Sequence, residues 1–190
     1  MEKPNSILAT SEEVVDELDL LKQSSTDPEA FRPVYEKYFK KIFAFVFHRV
    51  GDKMTTADIT QQVFLKAWMG LGKFQFRGLP FSSWLYRIAI NECNDYFRRA
   101  KRIRYVALED ADVNHLFEEL TAEPSLEHLH LKLPDILQKL LPDELHFIEL
   151  RYFEKRTFKE IGEIFGITEV NARVKTYRIL EKMKKHFHEN

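Results

Sequence analysis

Residues 156–185, RTFKEIGEIFGITEVNARVKTYRILEKMKK, constrain the fold of this chain most, because they contain start and stop signals for two successive helices. Thr157 and Glu160 have the spacing of a capping box, which opens a helix. Gly166 stands where that helix has to stop in a left-handed conformation, and Thr168 can cap the next helix. The segment is therefore predicted to form a helix, a short turn and a second helix.

The second helix of this segment has two candidate buried stripes. One consists of Ala172, Ile179 and Met183, and the other of Val170, Val174 and Tyr177. We favour the first stripe, because a small residue beside the turn lets the two helices pack, as does Gly162 in the first helix. This choice exposes side chains that can reach phosphates and base edges in a DNA major groove: Asn171, Arg173, Val174, Lys175 and Arg178.

A second run, residues 74–99, combines aromatic and basic side chains around a glycine- and proline-containing loop. Around the loop it places the aromatic residues Phe74, Phe76, Phe81, Trp84 and Tyr86 together with Arg77 and Arg87. Aromatic faces stack on unpaired bases while arginines hold the phosphate backbone, which is the chemistry needed to stabilise a melted strand. For Phe81 and Trp84, burial in a small helical core is at least as good an interpretation.

Composition favours an all-α protein. The chain has 190 residues with only six glycines and seven prolines, and strand-like alternation is not sustained across several segments. This length allows two small domains.

Cys93 is the single cysteine, which fits a reducing compartment. The N-terminal residues lack the pattern of a secretion signal and no long apolar run occurs, so we expect a cytoplasmic protein without membrane insertion.

The formal net charge of −1 hides a strong segregation of charge along the chain. Residues 87–104 are basic, residues 107–127 are acidic, and residues 173–185 are basic again. Because phosphate neutralisation supplies most nonspecific DNA binding, overall neutrality predicts weak DNA affinity for the free protein. A partner with its own DNA contacts would remove this difficulty.

Residues that start and stop helices predict the domain organisation. A helix opens at Asp27 and Pro28 and ends at Gly51, a second covers about residues 56–69, and a third is capped by Ser82 or Ser83 and runs to about residue 101. We expect an N-terminal extension over residues 1–24, a helical domain over 25–104, a flexible acidic linker over 105–127, and a helix-turn-helix domain over 128–190.

Three classes of function would not combine duplex binding with contact to a melted strand. A conventional helix-turn-helix regulator leaves residues 76–91 unexplained, and an interaction scaffold predicts no DNA contact. A metal enzyme is disfavoured, because the pairs His128/His130 and His186/His188 have no accompanying ligand set and no HExxH motif occurs. We expect no catalytic residues, no metal and no cofactor.

Three motifs in order resemble the extracytoplasmic-function group of sigma-70 family RNA polymerase sigma factors. They are ADITQQVFLKAW at 57–68, FRGLPFSSWLYRIAIN at 76–91, and LLPDELHFIELRYFEKRTFKEIGEIFGIT at 140–168. The resemblance covers about residues 31–104 and 133–185. It implies two small helical domains, one like sigma region 2 and one like sigma region 4, in a protein that directs promoter recognition and melting.

The resemblance also implies residue roles. Positions that bind the core polymerase are Asp58, Gln61 and Gln62. Positions that contact the minus-10 element are Phe76, Arg77 and Gly78 at a flipped base, with Arg87, Asn91, Arg98 and Arg99 along the strand. Positions that read the minus-35 element are Asn171, Arg173, Lys175 and Arg178. Gln62 stands where the family often has glutamate, which changes the charge of the polymerase contact. Val170, Asn171 and Ala172 replace a frequent run of a small residue, threonine and valine, so the family's minus-35 sequence cannot be transferred to this chain.

Partners follow from the same resemblance. They are the bacterial core RNA polymerase, promoter DNA and an anti-sigma factor that buries the polymerase-binding and DNA-binding faces. The acidic linker would thread toward the RNA exit path, where its charge could imitate nucleic acid.

Overall fold

The computed structural model describes residues 11–76, 78–100, 116–117, 119–120 and 126–188, and these residues form helices and turns without any strand. The chain divides into two compact units, Met1–Ile103 and Arg104–Asn190. The predicted all-α fold with two helical domains is confirmed. Among the described residues, no helix is long and apolar enough to cross a membrane.

The first unit is built on three long helices. Its elements are α1 (Ser11–Ser24), a 3-10 turn (Pro28–Phe31), α2 (Arg32–Val50), α3 (Lys53–Gly70), a second 3-10 turn (Leu71–Lys73) and α4 (Phe81–Ala100). Helices α2, α3 and α4 pack on one another, and α1 packs on the first 3-10 turn. The result is a helical bundle in which α3 and α4 each keep one side toward solvent.

Capping residues define the helix ends in this unit. Gly51 terminates α2 with a left-handed φ of 72°, as the sequence predicted. The Asp52 carboxylate then accepts a hydrogen bond of 2.8 Å from the backbone N–H of Thr55, so α3 begins three residues earlier than expected. The predicted serine caps of α4 are wrong, because the helix begins at Phe81 and both Ser82 and Ser83 are buried inside its first turn.

The core of the first unit is apolar and aromatic. Helix α2 contributes Val34, Ile42, Phe45 and Val46, α3 contributes Ile59, Val63 and Ala67, and α4 contributes Leu85, Tyr86, Ala89 and Cys93. The rings of Phe45 and Tyr86 meet edge to face with centroids 4.8 Å apart. Burial of such large side chains supplies most of the folding free energy of a small domain.

The second unit places one long helix across several short ones. Its elements are α5 (Leu126–Gln138), α6 (Pro142–Ile148), a π-helical turn (Glu149–Phe153), α7 (Phe158–Phe165) and α8 (Glu169–His188). Helix α8 packs on α5, α6 and α7. Its buried residues include Ala172, Ile179 and Met183, so the stripe favoured from the sequence is the buried one.

Part of the predicted linker is helical and buried. Leu116, Phe117 and Leu120 are buried, and the Glu119 carboxylate is hydrogen bonded to the hydroxyl of Tyr152, which lies in the π-helical turn. Residues 126 and 127, the end of the predicted linker, open α5. The other predicted linker residues, 105–115, 118 and 121–125, lie outside the described residues. The segment around residue 119 is therefore attached to the second unit.

Candidate nucleic-acid interfaces

A cluster of aromatic rings anchors the loop that precedes α4. Phe74 lies 5.2 Å from Phe81 and 5.3 Å from Trp84, measured between ring centroids. The indole of Trp84 also covers Gly70, where an added β-carbon would stand 3.0 Å from the ring. Phe81 and Tyr86 are fully buried. For Phe81 the interpretation as core packing is correct, and Trp84 is half-buried in the same ring cluster.

Phe76 differs from the four aromatic side chains beside it at positions 74, 81, 84 and 86. It is 43% exposed, whereas Phe74 and Trp84 are half-buried. Two residues later, Gly78 adopts a left-handed φ of 72° with open space around its Cα, so its conformation rather than crowding favours glycine. The predicted site residue Arg77 lies outside the described residues. The loop thus presents one accessible aromatic ring next to a glycine-dependent bend.

Helix α4 carries the other predicted minus-10 residues. At about 100° per residue, Arg87, Asn91 and Arg98 fall on one side of the helix, while Arg99 lies about a quarter turn away. Asn91, Arg98 and Arg99 are exposed and Arg87 is half-buried. The structure therefore aligns Arg87, Asn91 and Arg98 along one side of α4 over about three turns.

Ion pairs surround this side of α4. Asp95 holds the Arg98 guanidinium at 2.9 Å, and Glu92 pairs with Lys66 of α3. The first is a local pair on an exposed surface and contributes little stability. The second joins α3 to α4 and helps to fix the rotation of α4 about its axis.

The predicted polymerase-binding residues lie on the solvent side of α3. Asp58, Gln61 and Gln62 are all exposed. The same side carries three exposed apolar residues that sequence reasoning missed: Met54 at 80%, Leu65 at 45% and Met69 at 74% exposure. The available signal was their spacing from the polar residues, because each lies three, four, seven, eight or eleven positions from them and so falls on the same side of one helix. We call these six residues the α3 face.

An open groove of about 450 Å³ adjoins the α3 face. It is lined by the first 3-10 turn, the start of α2 and the second half of α3. The lining residues are Pro28, Glu29, Phe31, Arg32, Tyr35, Phe64, Leu65 and Trp68. Leu65 thus belongs both to the groove and to the α3 face.

The helix-turn-helix geometry in the second unit matches the sequence prediction. The Thr157 hydroxyl accepts a hydrogen bond of 3.2 Å from the N–H of Glu160, whose carboxylate accepts one of 2.8 Å from the N–H of Thr157. Gly166 ends α7 with a φ of 67°. The Thr168 hydroxyl accepts a hydrogen bond of 3.2 Å from the N–H of Asn171, which caps α8. These caps fix the start of α8.

The four predicted minus-35 residues, Asn171, Arg173, Lys175 and Arg178, are all exposed on α8. Arg173 is held by Glu169, with 3.4 Å between the charged atoms, and its guanidinium lies 5.4 Å from the centre of the Phe158 ring. Arg151 stands over the same ring at 4.6 Å. Phe158 and Arg151 are therefore additional members of this basic surface that sequence reasoning did not identify.

Two groups with shifted pKa values, the Glu144 carboxyl and the Tyr152 hydroxyl, lie in the elements on which α8 packs. Burial acts to raise the pKa of the Glu144 carboxyl, but hydrogen bonds from Lys182 and Leu141 and the charges of Lys182 and His186 lower it below its ordinary value. Lys182 and Glu144 are 2.7 Å apart, which ties α8 to α6. Burial, reinforced by the Glu119 carboxylate, raises the pKa of the Tyr152 hydroxyl, so this phenol stays protonated. Neither group faces the exposed side of α8.

The described part of the chain contains no cluster of side chains suited to bind a metal ion. No group of three or more histidine, cysteine, aspartate or glutamate side chains is arranged to hold a metal ion there. Cys93 is buried within α4.

Comparison with known proteins identifies both units. Residues 34–103 match the model of sigma-70 region 2, and residues 136–185 match that of sigma-70 region 4. The exposed α3 face, Phe76 and the exposed side of α4 fall within the first match, and the helix-turn-helix falls within the second.

Individual relatives agree with these matches. SigW of Bacillus subtilis, an ECF RNA polymerase sigma factor, is 29% identical over 168 residues, covering 84% of this chain and 89% of SigW. BldN of Streptomyces coelicolor, also an ECF sigma factor, is 28% identical over 159 residues; the alignment covers 83% of this chain but only 60% of BldN.

A solved structure supports the fold. RpoE of Bartonella quintana, crystallised with the anti-sigma factor NepR, superposes with a TM-score of 0.56 at 17% identity, covering 82% of this chain and 94% of RpoE. With both sigma regions present in order, the chain belongs to the sigma-70 family of RNA polymerase sigma factors, in its extracytoplasmic-function group.

Proposed function

We propose that this chain is an alternative sigma factor that binds the bacterial core RNA polymerase and directs promoter recognition, DNA melting and transcription initiation. The observation that carries this proposal is the ordered pair of sigma regions, each with an exposed surface suited to its task. The first unit exposes an aromatic ring beside a bend, and the second exposes a basic recognition helix. A regulator without polymerase contacts has no need of the first surface.

Polymerase binding is assigned to the α3 face. Asp58, Gln61 and Gln62 provide hydrogen-bonding groups, and Leu65 and Met69 provide apolar area that is otherwise left in water. Exposed apolar side chains rimmed by polar ones are typical of protein interfaces. The neutral Gln62 at a position often occupied by glutamate makes this contact less dependent on charge.

Promoter melting is assigned to Phe76 and the loop that carries it. An unpaired base can stack on a ring that is 43% exposed, whereas the buried rings of Phe81 and Tyr86 are inaccessible to it. Gly78 permits the bend beside Phe76, and Arg77 completes the predicted base-binding set. Arg87, Asn91, Arg98 and Arg99 extend the contact surface along the strand or the adjacent duplex.

Minus-35 binding is assigned to α8. Its exposed side presents Asn171, Arg173, Lys175 and Arg178, and its first turn is fixed by the Thr168 cap. In helix-turn-helix proteins the second helix enters the major groove with its N-terminal residues at the base edges. Recognition at two separate places compensates for the weak DNA affinity that an overall charge of −1 implies.

Regulation by a protein partner fits the same surfaces. RpoE, which shares the fold, is held by an anti-sigma factor in its crystal structure. An anti-sigma factor for this chain would act by covering the α3 face or the exposed side of α8. The protein itself contributes binding and positioning, and phosphodiester chemistry stays with the polymerase, so we assign it no enzymatic activity. Its place of action is the cytoplasm, where the polymerase works.

The test is run-off transcription from a library of randomised promoters with core polymerase, with and without the protein. The proposal predicts transcripts that depend on the protein and enrichment of a two-part promoter. Tight binding of the protein alone to a short duplex, without any initiation, would instead identify a regulator that acts independently of polymerase.

A further inference from the structure

An apolar stripe runs along the exposed side of α8. Val170, Val174 and Tyr177 are 69%, 41% and 49% exposed. Their spacing of four and three residues places them on one side of the helix. These three residues form the second candidate for the buried stripe in the sequence analysis, and all three are exposed to solvent in the structure.

The stripe occupies the centre of the exposed side rather than its edge. At about 100° per residue, Val170 points directly away from the buried Ile179, and Val174 lies about 40° from Val170. Arg173 flanks the valines on one side, and Asn171 and Arg178 flank them on the other. The exposed side therefore has an apolar centre and polar, mostly cationic margins.

Charge indicates the partner of this stripe. From Val170 to Arg178 the sequence contains three cations, Arg173, Lys175 and Arg178, and no acidic residue. Such margins complement the two phosphate backbones that border a DNA groove. Arg173 is held against Phe158 and Glu169, which directs it along the flank of the helix instead of its centre. Duplex DNA is the partner that matches both the apolar centre and the cationic margins.

A recognition helix that lies in the major groove turns the centre of its exposed side toward the base edges. A valine side chain has no hydrogen-bonding group, so among the major-groove features of the bases it is complementary to the C5-methyl group of thymine. We propose that Val170 and Val174 determine minus-35 specificity by apolar contact with thymine methyl groups, while the flanking cations bind phosphates. This inference rests on the proposed function of α8 in minus-35 binding.

The inference can be tested by removing single methyl groups from DNA. The full chain with core polymerase is assayed on a promoter recovered from the randomised library. Each thymine of its minus-35 element, on either strand, is replaced in turn by deoxyuridine, which pairs identically but lacks the methyl group. Loss of one buried methyl contact should lower promoter affinity about fourfold at one or more positions.

Variants connect the methyl effect to the two valines. For Val170→Ala and Val174→Ala, we expect the affinity ratio between thymine and uracil templates to fall toward one at the position that each valine contacts. Both side chains are exposed and neither belongs to the core, so these substitutions should leave folding intact. Arg178→Ala is the matched comparison on the same helix: it should weaken both templates equally and preserve the ratio.

The outcomes separate this inference from the proposed function. Three results would overturn the inference and leave the sigma assignment standing, provided that initiation depends on the protein. Replacement of thymine by uracil could have no effect, both valine variants could keep the wild-type ratio, or the selected minus-35 element could contain no thymine. Valine variants that keep the ratio but lose binding to a protein partner would assign the stripe to that partner instead. Absence of protein-dependent initiation from every promoter would overturn both.

Discussion

Gly162 of α7 and Ile167 of the turn approach so closely that only glycine fits. A β-carbon at residue 162 would stand 2.7 Å from the carbonyl oxygen of Ile167 and 3.3 Å from the backbone nitrogen of Glu169. The N–H of Ile167 also donates a hydrogen bond of 2.8 Å to the Gly162 carbonyl oxygen. Because both close atoms belong to the backbone, a side chain here would displace the start of α8.

Gly162→Ala is therefore expected to destabilise the second unit by about 1–3 kcal/mol, the usual cost of overpacking, and to weaken minus-35 binding. Both tryptophans, Trp68 and Trp84, lie in the first unit. Denaturation followed by circular dichroism should show the loss, while tryptophan fluorescence should report an unchanged first unit. Gly72→Ala is the control, because its β-carbon would meet nothing within 4 Å. Equal stability of the two variants would contradict the packing argument.

Phe76→Ala should impair promoter melting without impairing folding. Its ring is 43% exposed, so truncation costs little core packing, whereas a base stack is worth about 1–3 kcal/mol. Permanganate reactivity of minus-10 thymines should fall by about fivefold or more, with the closed complex retained. A template with a preformed minus-10 bubble should restore much of the initiation.

Phe81→Ala provides the contrasting substitution in the same run. Phe81 is 1% exposed, so its truncation should lower stability by about 3–5 kcal/mol and reduce all activities together. If Phe76→Ala behaved in the same way, the exposed ring would be a structural element and its assignment to the melted strand would be wrong.

The α3 face should determine affinity for core polymerase. The double substitution Leu65→Ala and Met69→Ala is expected to lower that affinity by about tenfold, because a few central contacts carry most of the binding energy of an interface. Competition with a fluorescent wild-type protein measures the change. Lys40→Ala, on the exposed side of α2, is the control. Unchanged affinity in the double variant would exclude these side chains from the interface.

Acid should weaken the second unit through Glu144. Its folded-state pKa is lowered because Lys182 and Leu141 stabilise the carboxylate against the opposing effect of burial. The resulting stabilisation is complete above the ordinary value of 4.5 and is lost as pH falls through the lower folded-state pKa. Thermal melts should therefore show that Glu144→Gln is less stable than wild type at neutral pH, with the difference shrinking in acid. A difference that is constant with pH would contradict this account.

Local signals in the sequence were sufficient for most of the fold. The cap of Thr157 and Glu160, the left-handed Gly166 and the choice of Ala172 for the buried stripe are confirmed, because each depends on residues only a few positions apart. The start of α4 was predicted wrongly. Serine is a common cap, but here tertiary packing buries Ser82 and Ser83 and allows Phe81 to open the helix.

The candidate site was less accessible to sequence reasoning. The family resemblance singled out Phe76, but residue type alone could not show that its ring is exposed while Phe74 and Trp84 are half-buried, because exposure depends on the ring cluster that only the folded chain brings together. Residues 54, 65 and 69 were overlooked because apolar side chains suggest a core. Phe158 carries no charge and gave no sign in the sequence of its place on the basic surface, yet its half-buried ring lies beneath the guanidinium groups of Arg151 and Arg173.

Footprinting of the protein with core polymerase on the selected promoter tests the central claim most directly. The account predicts protection of two separate segments near minus-35 and minus-10, with Gly162→Ala reducing the upstream protection and Phe76→Ala reducing downstream melting. A single protected segment that forms equally well without polymerase would contradict it.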